Sequence, residues 1–195
     1  MQMMNKKEYK KLEEVLIQVG LRIAKRGEGA LFVVGKTEYK PMINQNIPQF
    51  KAIENPKLLE SLALMDGAVV IDNNGMVEAY GAMIKTRKTF KNFGTRHSAG
   101  LSASKGNNLA IVISEEDRKI RILKNEKMIM QIDALQKNVE KSVPSAVNLL
   151  ESVGVGTLGA IGTSLLVPSL GIALVPGIIL FGSAYFIGKI MRKRI

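Results

Sequence analysis

The sequence contains no cysteine and no tryptophan, and it has a single histidine. Without cysteine the chain can form neither a disulfide framework nor a thiolate metal site, so a reducing compartment is compatible with it. Aromatic residues are also few, with six Phe and four Tyr. Single-stranded nucleic acid is usually bound by aromatic side chains interleaved with basic ones, so this composition predicts no nucleic-acid partner.

Acidic residues are in the minority, since 17 Asp and Glu face 28 Lys and Arg and the formal net charge is +11. Such an excess attracts polyanions, which include nucleotides and the anionic face of a membrane. Charge alone does not choose among them. Residues 1–14 are too polar to include the apolar segment of a signal peptide, so we expect the domain to stay in the compartment where it is made.

Charge is absent altogether from residues 152–188, a run of 37 residues. The run is longer than the roughly 20 residues that one membrane-spanning helix needs, and Pro168 interrupts it near its middle. A basic tail follows at Lys189, Arg192, Lys193 and Arg194. These features predict a membrane-associated hydrophobic segment over residues 152–195, in contact with lipid.

The remainder of the chain shows the alternation of helix and strand patterns that is typical of an α/β fold. The predicted helices cover residues 6–26, 56–65, 96–105 and 128–150, and the predicted strands cover residues 30–34, 69–71, 76–83, 109–113 and 120–123. Residues 36–55 are predicted as a loop. We therefore expect a mixed central β-sheet flanked by helices over residues 1–140, a linker helix over 141–151, and a C-terminal hydrophobic helical hairpin within 152–195.

Three polar clusters lie at the edges of apolar runs: Asp66-Gly67-Ala68, residues 94–100, and Ser114-Glu115-Glu116. Thr95 precedes a stretch with helical pattern, and an N-cap threonine there would leave backbone N–H groups and the positive end of the helix dipole facing an anion. Arg96 and His97 add donors at the same end. Acidic groups that hold a cation, together with donors that hold phosphate oxygens, are what metal-assisted phosphoryl chemistry requires.

These motifs resemble the diadenylate cyclase family over roughly residues 10–135. Catalytic domains of that family carry Asp-Gly-Ala, then Arg-His-Arg usually preceded by Gly-Thr, and in many members Ser-Glu-Glu after the next strand. This chain has Ser98 where the family usually has its second arginine. One phosphate contact would then come from a hydroxyl or from another residue, such as Lys105 or Arg87.

The resemblance implies a mechanism in which two ATP molecules are joined into cyclic di-AMP across a symmetric, face-to-face homodimer. Asp66, Gly67 and Ala68 would form the catalytic motif, with Asp66 on a divalent cation, Mg²⁺ or Mn²⁺, and on the attacking ribose hydroxyl. The phosphates would be bound by Gly94, Thr95, Arg96, His97 and Ser98. Glu115 or Glu116 would supply a second metal ligand, and the choice between these two glutamates stays open.

An ATP-using domain is expected in the cytoplasm, and the basic tail also favours the cytoplasmic side of a membrane. If both ends face the cytoplasm, the number of crossings is even. A hairpin of two helices at about 153–168 and 171–188 meets this condition and is favoured, and one helix over about 170–190 stays open as the alternative. Two other functions remain open at this point: a membrane-tethered sensor that binds ATP or a cyclic dinucleotide with little turnover, and a basic scaffold.

Overall fold

The computed structural model describes residues 4–44, 48–86, 94–154, 172–175 and 177–181. Its helices are α1 (Lys6–Lys25), α2 (Pro56–Ala63), α3 (Thr95–Ala103) and α4 (Val143–Gly154), with a 3-10 turn at Val139–Ser142. Its strands are β1 (Ala30–Val34), β2 (Tyr39–Pro41), β3 (Ala68–Ile71), β4 (Val77–Ile84), β5 (Leu109–Ile113), β6 (Lys119–Lys124), β7 (Lys127–Asp133), β8 (Ile172–Val175) and β9 (Ile178–Leu180).

In the described part of the chain the nine strands form one sheet in the order β2-β4-β3-β1-β5-β6-β7-β9-β8. Strands β1 and β3 run parallel, and the other neighbours run antiparallel. The prediction of an α/β fold with a mixed central sheet is therefore confirmed.

Strands β1, β3 and β5 lie at the centre of the sheet and carry only buried side chains. Short apolar runs rich in β-branched residues favour strands that are covered on both faces. Because successive side chains of a strand point to opposite faces, Phe32 and Val34 pack in one core, whereas Leu31 and Val33 pack in the other. The sheet is thus the middle of three layers.

One face of the sheet is covered by α1, α2 and α4. Helix α1 begins with a capping box, in which the Asn5 side chain accepts from the Glu8 N–H and the Glu8 carboxylate accepts from the Asn5 N–H. Its apolar stripe, including Leu12 and Leu16, is fully buried against the sheet. We call this side of the molecule the helical face.

Residues 141–151, predicted as a linker helix, include the first turns of α4. Val143, Ala146 and Val147 are buried in the same core as α1, so this stretch packs on the domain. The division of the chain at residues 140 and 151 stays a prediction.

The opposite side of the sheet is covered by α3, and we call it the α3 face. Gly100 lets this helix approach closely, because a Cβ there would lie 2.6 Å from Cγ2 of Val112. The sequence predicts Thr95 as the N-cap, but the structure has Gly94 in that role, with φ −63° and ψ 171°, and Thr95 is the first helical residue. No side chain caps this end of α3.

Two predicted stretches differ from the structure. The helix predicted over 128–150 is wrong for residues 128–133, which belong to β7. Met130 and Ile132 alternate into the core, as side chains of a strand do. A tight turn with positive φ at Asn125 and Glu126 pairs β7 with β6. The loop predicted over 36–55 contains β2, which pairs with the end of β4.

The helical arm predicted at about 171–188 is also wrong where the structure describes it. Residues Ile172–Val175 and Ile178–Leu180 form strands, and β9 pairs with the edge of β7 through Met130 and Leu180. The free edge of β7 offers hydrogen-bond partners to this β-branched segment, which favours a strand. No helix in the described ranges is both long and apolar enough to cross a membrane. The other predicted arm, 153–168, lies almost wholly outside the described residues.

Candidate active site

Asp66 and Gly67 form a tight entry into β3. The Asp66 Oδ1 atom accepts a hydrogen bond of 3.0 Å from the Gly67 N–H. Gly67 has φ +102°, and a Cβ there would lie 2.7 Å from the carbonyl carbon of Gly81 and 2.8 Å from the Ala82 nitrogen. Only glycine accommodates this conformation and this approach of β4. Ala68 then begins the strand opposite Ala82, so the Asp66 carboxylate lies at the N-terminal end of the central strand β3.

The start of α3 lies at the same end of the sheet, close to Asp66. Arg96 and His97 are half-buried, Thr95 is exposed, and Ser98 is buried with 4% of its surface accessible. No side chain caps the helix. Its first-turn N–H groups, which lie at the positive end of the helix dipole, therefore have no competing side-chain acceptor. This end of α3 therefore has the donors that a phosphate group requires.

A cavity of about 420 Å³ joins the first two motifs, and we call it the Asp66 cavity. Asp66 and Gly67 line one side, and Thr95, Arg96 and Ser98 line the other. Apolar side chains complete its wall: Leu31, Met42, Ala82, Met83, Ile84 and Ala99. The structure thus brings the acidic residue and the start of α3 together beside an apolar surface.

The third motif lines a different cavity of about 260 Å³, which we call the Arg121 cavity. Glu115 and Glu116 meet the start of α3 there, and residues 94–97 form the opposite wall. Arg96 belongs to both cavities. Its Nη1 atom lies 3.0 Å from Oε2 of Glu115, so one predicted metal ligand is paired with a guanidinium.

The proposed metal ligands are accordingly not assembled into one cluster. In the described ranges no group of three or more His, Asp or Glu side chains could hold a metal ion. The Asp66 carboxylate still fits a hard divalent cation, because Mg²⁺ is commonly bound by one or two carboxylates together with substrate phosphates and water. Asp66 and the phosphates of a bound nucleotide would form such a set.

His97 lies between two arginines in the Arg121 cavity. Its Nε2 atom is 3.0 Å from Nη1 of Arg121. Arg121 also donates hydrogen bonds to both carboxylate oxygens of Asp117. Burial and then the positive charge of Arg121 lower the pKa of His97 below its usual value, although the Asp117 charge opposes this. This lowered pKa favours the neutral form of the imidazole.

Asp117 itself remains ionised. Burial is the largest single influence and raises its pKa, but hydrogen bonds from Arg121 and Ser114 and the Arg121 charge together lower the pKa below its usual value. The pair of Asp117 and Arg121 is consequently a fixed ion pair on the wall of this cavity.

Sequence reasoning missed three residues of the site: Gly29, Asp117 and Arg121. A Cβ at Gly29 would collide with the Arg96 guanidinium and lie 3.2 Å from Oε2 of Glu115, so glycine leaves room for that ion pair. Arg121 pairs with Val112 across β5 and β6, and Val112 packs in the core of the α3 face. The predicted hairpin register could have placed Arg121 on that face, but nothing local signals Gly29.

Of the two residues considered as substitutes for the missing arginine, Lys105 is described by the structure, and it lines neither the Asp66 cavity nor the Arg121 cavity. Lys105 lines a separate cavity near the C-terminal end of α3, together with Lys36 and Ser102. Arg87 lies outside the described residues. The second guanidinium at the start of α3 comes instead from Arg121.

The chain is similar to several known proteins. The family model described as the DisA bacterial checkpoint controller nucleotide-binding (DAC) domain matches residues 20–128. A diadenylate cyclase from Haloferax volcanii is 34% identical over 137 residues, which cover 62% of this chain and 50% of the relative. The diadenylate cyclase CdaS from Bacillus thuringiensis is 35% identical over 102 residues, covering 48% and 51%. The chain thus spans about half the length of these two relatives.

A solved structure shares the fold. DacA from Staphylococcus aureus, determined as a double mutant, superposes with a TM-score of 0.50 at 22% identity, covering 71% of this chain and 97% of that one. The family model spans more than half of the chain and includes Asp66, the start of α3 and Glu115. The chain belongs to the diadenylate cyclase (DAC) domain family.

Proposed function

We propose that the chain is a diadenylate cyclase that condenses two ATP into cyclic di-AMP and releases two pyrophosphates. In each of two steps a ribose 3′-oxygen forms a bond to an α-phosphorus, the bond from that phosphorus to the pyrophosphate breaks, and the hydroxyl proton is taken up by the Asp66 carboxylate or by water. The observation that carries this proposal is the Asp66 cavity, in which a carboxylate faces an uncapped helix start.

Asp66 is assigned to the attacking hydroxyl. Its carboxylate is fixed by the Gly67 N–H and is assigned a divalent cation, Mg²⁺ or Mn²⁺. When bound, such a cation neutralises phosphate charge and makes the hydroxyl easier to deprotonate. Gly67 and Ala68 keep the backbone close to the ligand because they are small. Glu116, and Glu115 if Arg96 releases it, are the further candidate ligands.

The start of α3 is assigned to the phosphates. Backbone N–H groups of its first turn, with Arg96 and His97, would hold the phosphate oxygens, and Ser98 would contribute a hydroxyl from its position in the Asp66 cavity. These groups supply charge stabilisation and positioning, which account for most of the catalysis in phosphoryl-group chemistry. The apolar wall suits the nucleoside part of ATP.

The product has two-fold symmetry, so two copies of the chain are proposed to bring their sites face to face, each with one ATP. We also propose that the parts of residues 152–195 that lie outside α4, β8 and β9 hold the protein at the cell membrane, with the catalytic domain on the cytoplasmic side. The uncharged run and the basic tail support this location.

The test is to incubate the full chain with ATP and Mg²⁺ or Mn²⁺ and to identify the nucleotides by mass spectrometry. We expect cyclic di-AMP and pyrophosphate from the natural sequence, and at least about a thousandfold less from Asp66→Asn. Asp133→Asn is the matched control, because Asp133 lies outside both cavities and its asparagine keeps an acceptor for the Leu135 N–H. Equal product from Asp66→Asn would remove Asp66 from the chemistry.

A second candidate function is a membrane-tethered sensor that binds ATP or cyclic di-AMP with little turnover. The observation that favours it is the short, buried Ser98 where the related motif carries arginine. Bound, unreacted ATP in the same incubation would select the sensor.

A further inference from the structure

We propose that Arg121 is a positioning residue: held by Asp117, its guanidinium donates to Nε2 of His97 and fixes the imidazole as the tautomer with its proton on Nδ1. The consequence for catalysis rests on the proposed function, whereas the tautomer itself does not.

The Arg121 guanidinium is held in place by Asp117. Nη1 donates to Oδ1 of Asp117 at 3.2 Å, and Nη2 contacts Oδ2 of the same carboxylate. A planar guanidinium that binds both oxygens of a carboxylate has little rotational freedom. Only 14% of the Arg121 side chain is exposed. The direction of its remaining donors is therefore set by Asp117.

The tautomer of His97 follows from donor chemistry. Arginine has five N–H donors and no acceptor, so the 3.0 Å contact between Nη1 and Nε2 of His97 requires a lone pair on Nε2. A neutral imidazole has one protonated nitrogen, which is then Nδ1. A protonated imidazolium would direct an N–H at a guanidinium and lose this hydrogen bond.

The surroundings of His97 favour the neutral ring. Arg96 on α3 and Arg121 on β6 are the nearby positive groups, and Glu115, Glu116 and Asp117 line the same cavity. Two of these three carboxylates are paired with the arginines. The direction of the His97 pKa, which burial and the Arg121 charge lower, agrees with a neutral imidazole.

The tautomer of His97 affects which ring nitrogen can donate a hydrogen bond. With Nε2 occupied, the proton of the neutral ring is on Nδ1, so under the proposed function Arg121 would determine from which side of the ring His97 donates to a phosphate oxygen. If the ring proton moves from Nδ1 to Nε2, the position of the donated hydrogen changes by more than a well-oriented reaction tolerates. Arg121 thereby acts through His97.

The experiment uses nitrogen NMR, which the sequence makes unambiguous because the chain has one histidine. The full chain is labelled with ¹⁵N-histidine, and the ring nitrogens are observed without nucleotide at pH 7.5. We expect a protonated signal for Nδ1 and an unprotonated signal for Nε2. A protonated Nε2 in the natural sequence would overturn the proposal, whatever the variants do.

Two variants separate positioning from general structure. Arg121→Met should shift the tautomer toward protonated Nε2, and Arg121→Lys should restore protonated Nδ1 at least in part. Lys119→Met is the matched control, because the Lys119 ammonium lies 3.9 Å from the same Asp117 carboxylate while Arg121 makes the contact to His97. An Arg121→Met protein that is folded by circular dichroism and keeps the original tautomer would overturn the proposal.

In the cyclase assay Arg121→Met should lower kcat by about ten- to a hundredfold with a smaller change in KM for ATP, whereas Lys119→Met should change kcat less than about twofold. An equal loss of kcat in both variants would count against positioning. If no variant or natural protein makes cyclic di-AMP, the proposed function fails, and the nitrogen signals still decide the tautomer.

Discussion

The two faces of the sheet are built for different tasks. The helical face is covered by three helices, and α1 begins with a complete capping box between Asn5 and Glu8. The α3 face is covered by one short helix whose start carries no side-chain cap, and the two cavities that hold the motif residues open beside it. On the helical face the N–H donors at the start of α1 are satisfied within the protein and stabilise it. On the α3 face the N–H donors at the start of α3 are left for a ligand.

This difference gives a rule for substitutions. Changes on the helical face should alter the free energy of unfolding and leave the activity of each folded molecule unchanged. Changes on the α3 face should alter activity even where stability is preserved or increased. Four predictions follow this division, in order of decreasing effect on the free energy of unfolding.

Cavity-forming substitutions compare the two cores directly. Leu16→Ala on α1 and Leu101→Ala on α3 each remove a buried side chain, so each should lower the free energy of unfolding by about 2–5 kcal/mol. Urea denaturation measures this loss. Initial rates per folded molecule should fall for Leu101→Ala, because α3 shifts, and not for Leu16→Ala. Equal rates per folded molecule in the two variants would contradict the division.

The pH dependence of stability should contain opposite contributions from the two faces. Burial, opposed by the charges of Lys124 and Lys10, raises the pKa of Glu13 from 4.5 to about 7. Between these values the folded protein binds more protons than the unfolded chain, so this group makes stability fall as pH rises from about 4.5 to about 7. Across that window the change is about 3 kcal/mol.

Glu13→Gln should remove that fall, and the exposed Glu28→Gln should not. His97 behaves in the opposite sense, since its folded pKa is lowered from 6.5 and its contribution to stability is lost as pH falls below that value. Urea midpoints from pH 4.5 to 8 measure both. A Glu13→Gln protein with the original slope would show that this carboxyl is not the group responsible.

Two glycines with positive φ test the tight entry into β3. Gly67→Ala introduces a collision with the β4 backbone as well as strain at φ +102°, and should cost about 2–3 kcal/mol together with most of the cyclase activity. Gly106→Ala, at φ +70° with no atom within 4 Å of its Cβ, should cost about 1 kcal/mol and retain activity. Thermal melts and initial rates separate the two.

The smallest effect on stability has the most informative sign. Gly94→Ser adds a capping hydroxyl at a position where a Cβ meets nothing within 4 Å, so it should stabilise the protein by about 0.5 kcal/mol. The same hydroxyl would compete with ATP phosphates for the first-turn N–H groups of α3, so KM for ATP should rise a few-fold. A stabilised variant with unchanged KM would place the phosphates elsewhere.

Much of this arrangement is predictable from local sequence. Asn73-Asn74-Gly75 predicts the turn that the structure contains, where Asp72 Oδ1 accepts from the Asn74 and Met76 N–H groups and Gly75 has φ +77°. The apolar period of residues 6–26 likewise predicts α1 within a residue at each end. Both depend on residues close together in the chain.

What escaped prediction depends on distant residues. The run Met128-Ile129-Met130 fits a helix as well as a strand, and pairing with β6 and β9 decides for the strand. The contact of Arg121 with His97 joins residues 24 positions apart. The placement of Asp66 in one cavity and of Glu115 and Glu116 in another depends on how three elements pack, which no local pattern records.

Arg96 has one further consequence, because this residue, like Thr95, lines both cavities and its guanidinium is paired with Glu115. A ligand in the Asp66 cavity that draws Arg96 away from Glu115 changes the affinity of the Arg121 cavity for whatever Glu115 can hold. Thermodynamic linkage requires the reverse effect by the same factor. Under this linkage, occupancy of one cavity would alter the affinity of the other through a single arginine side chain.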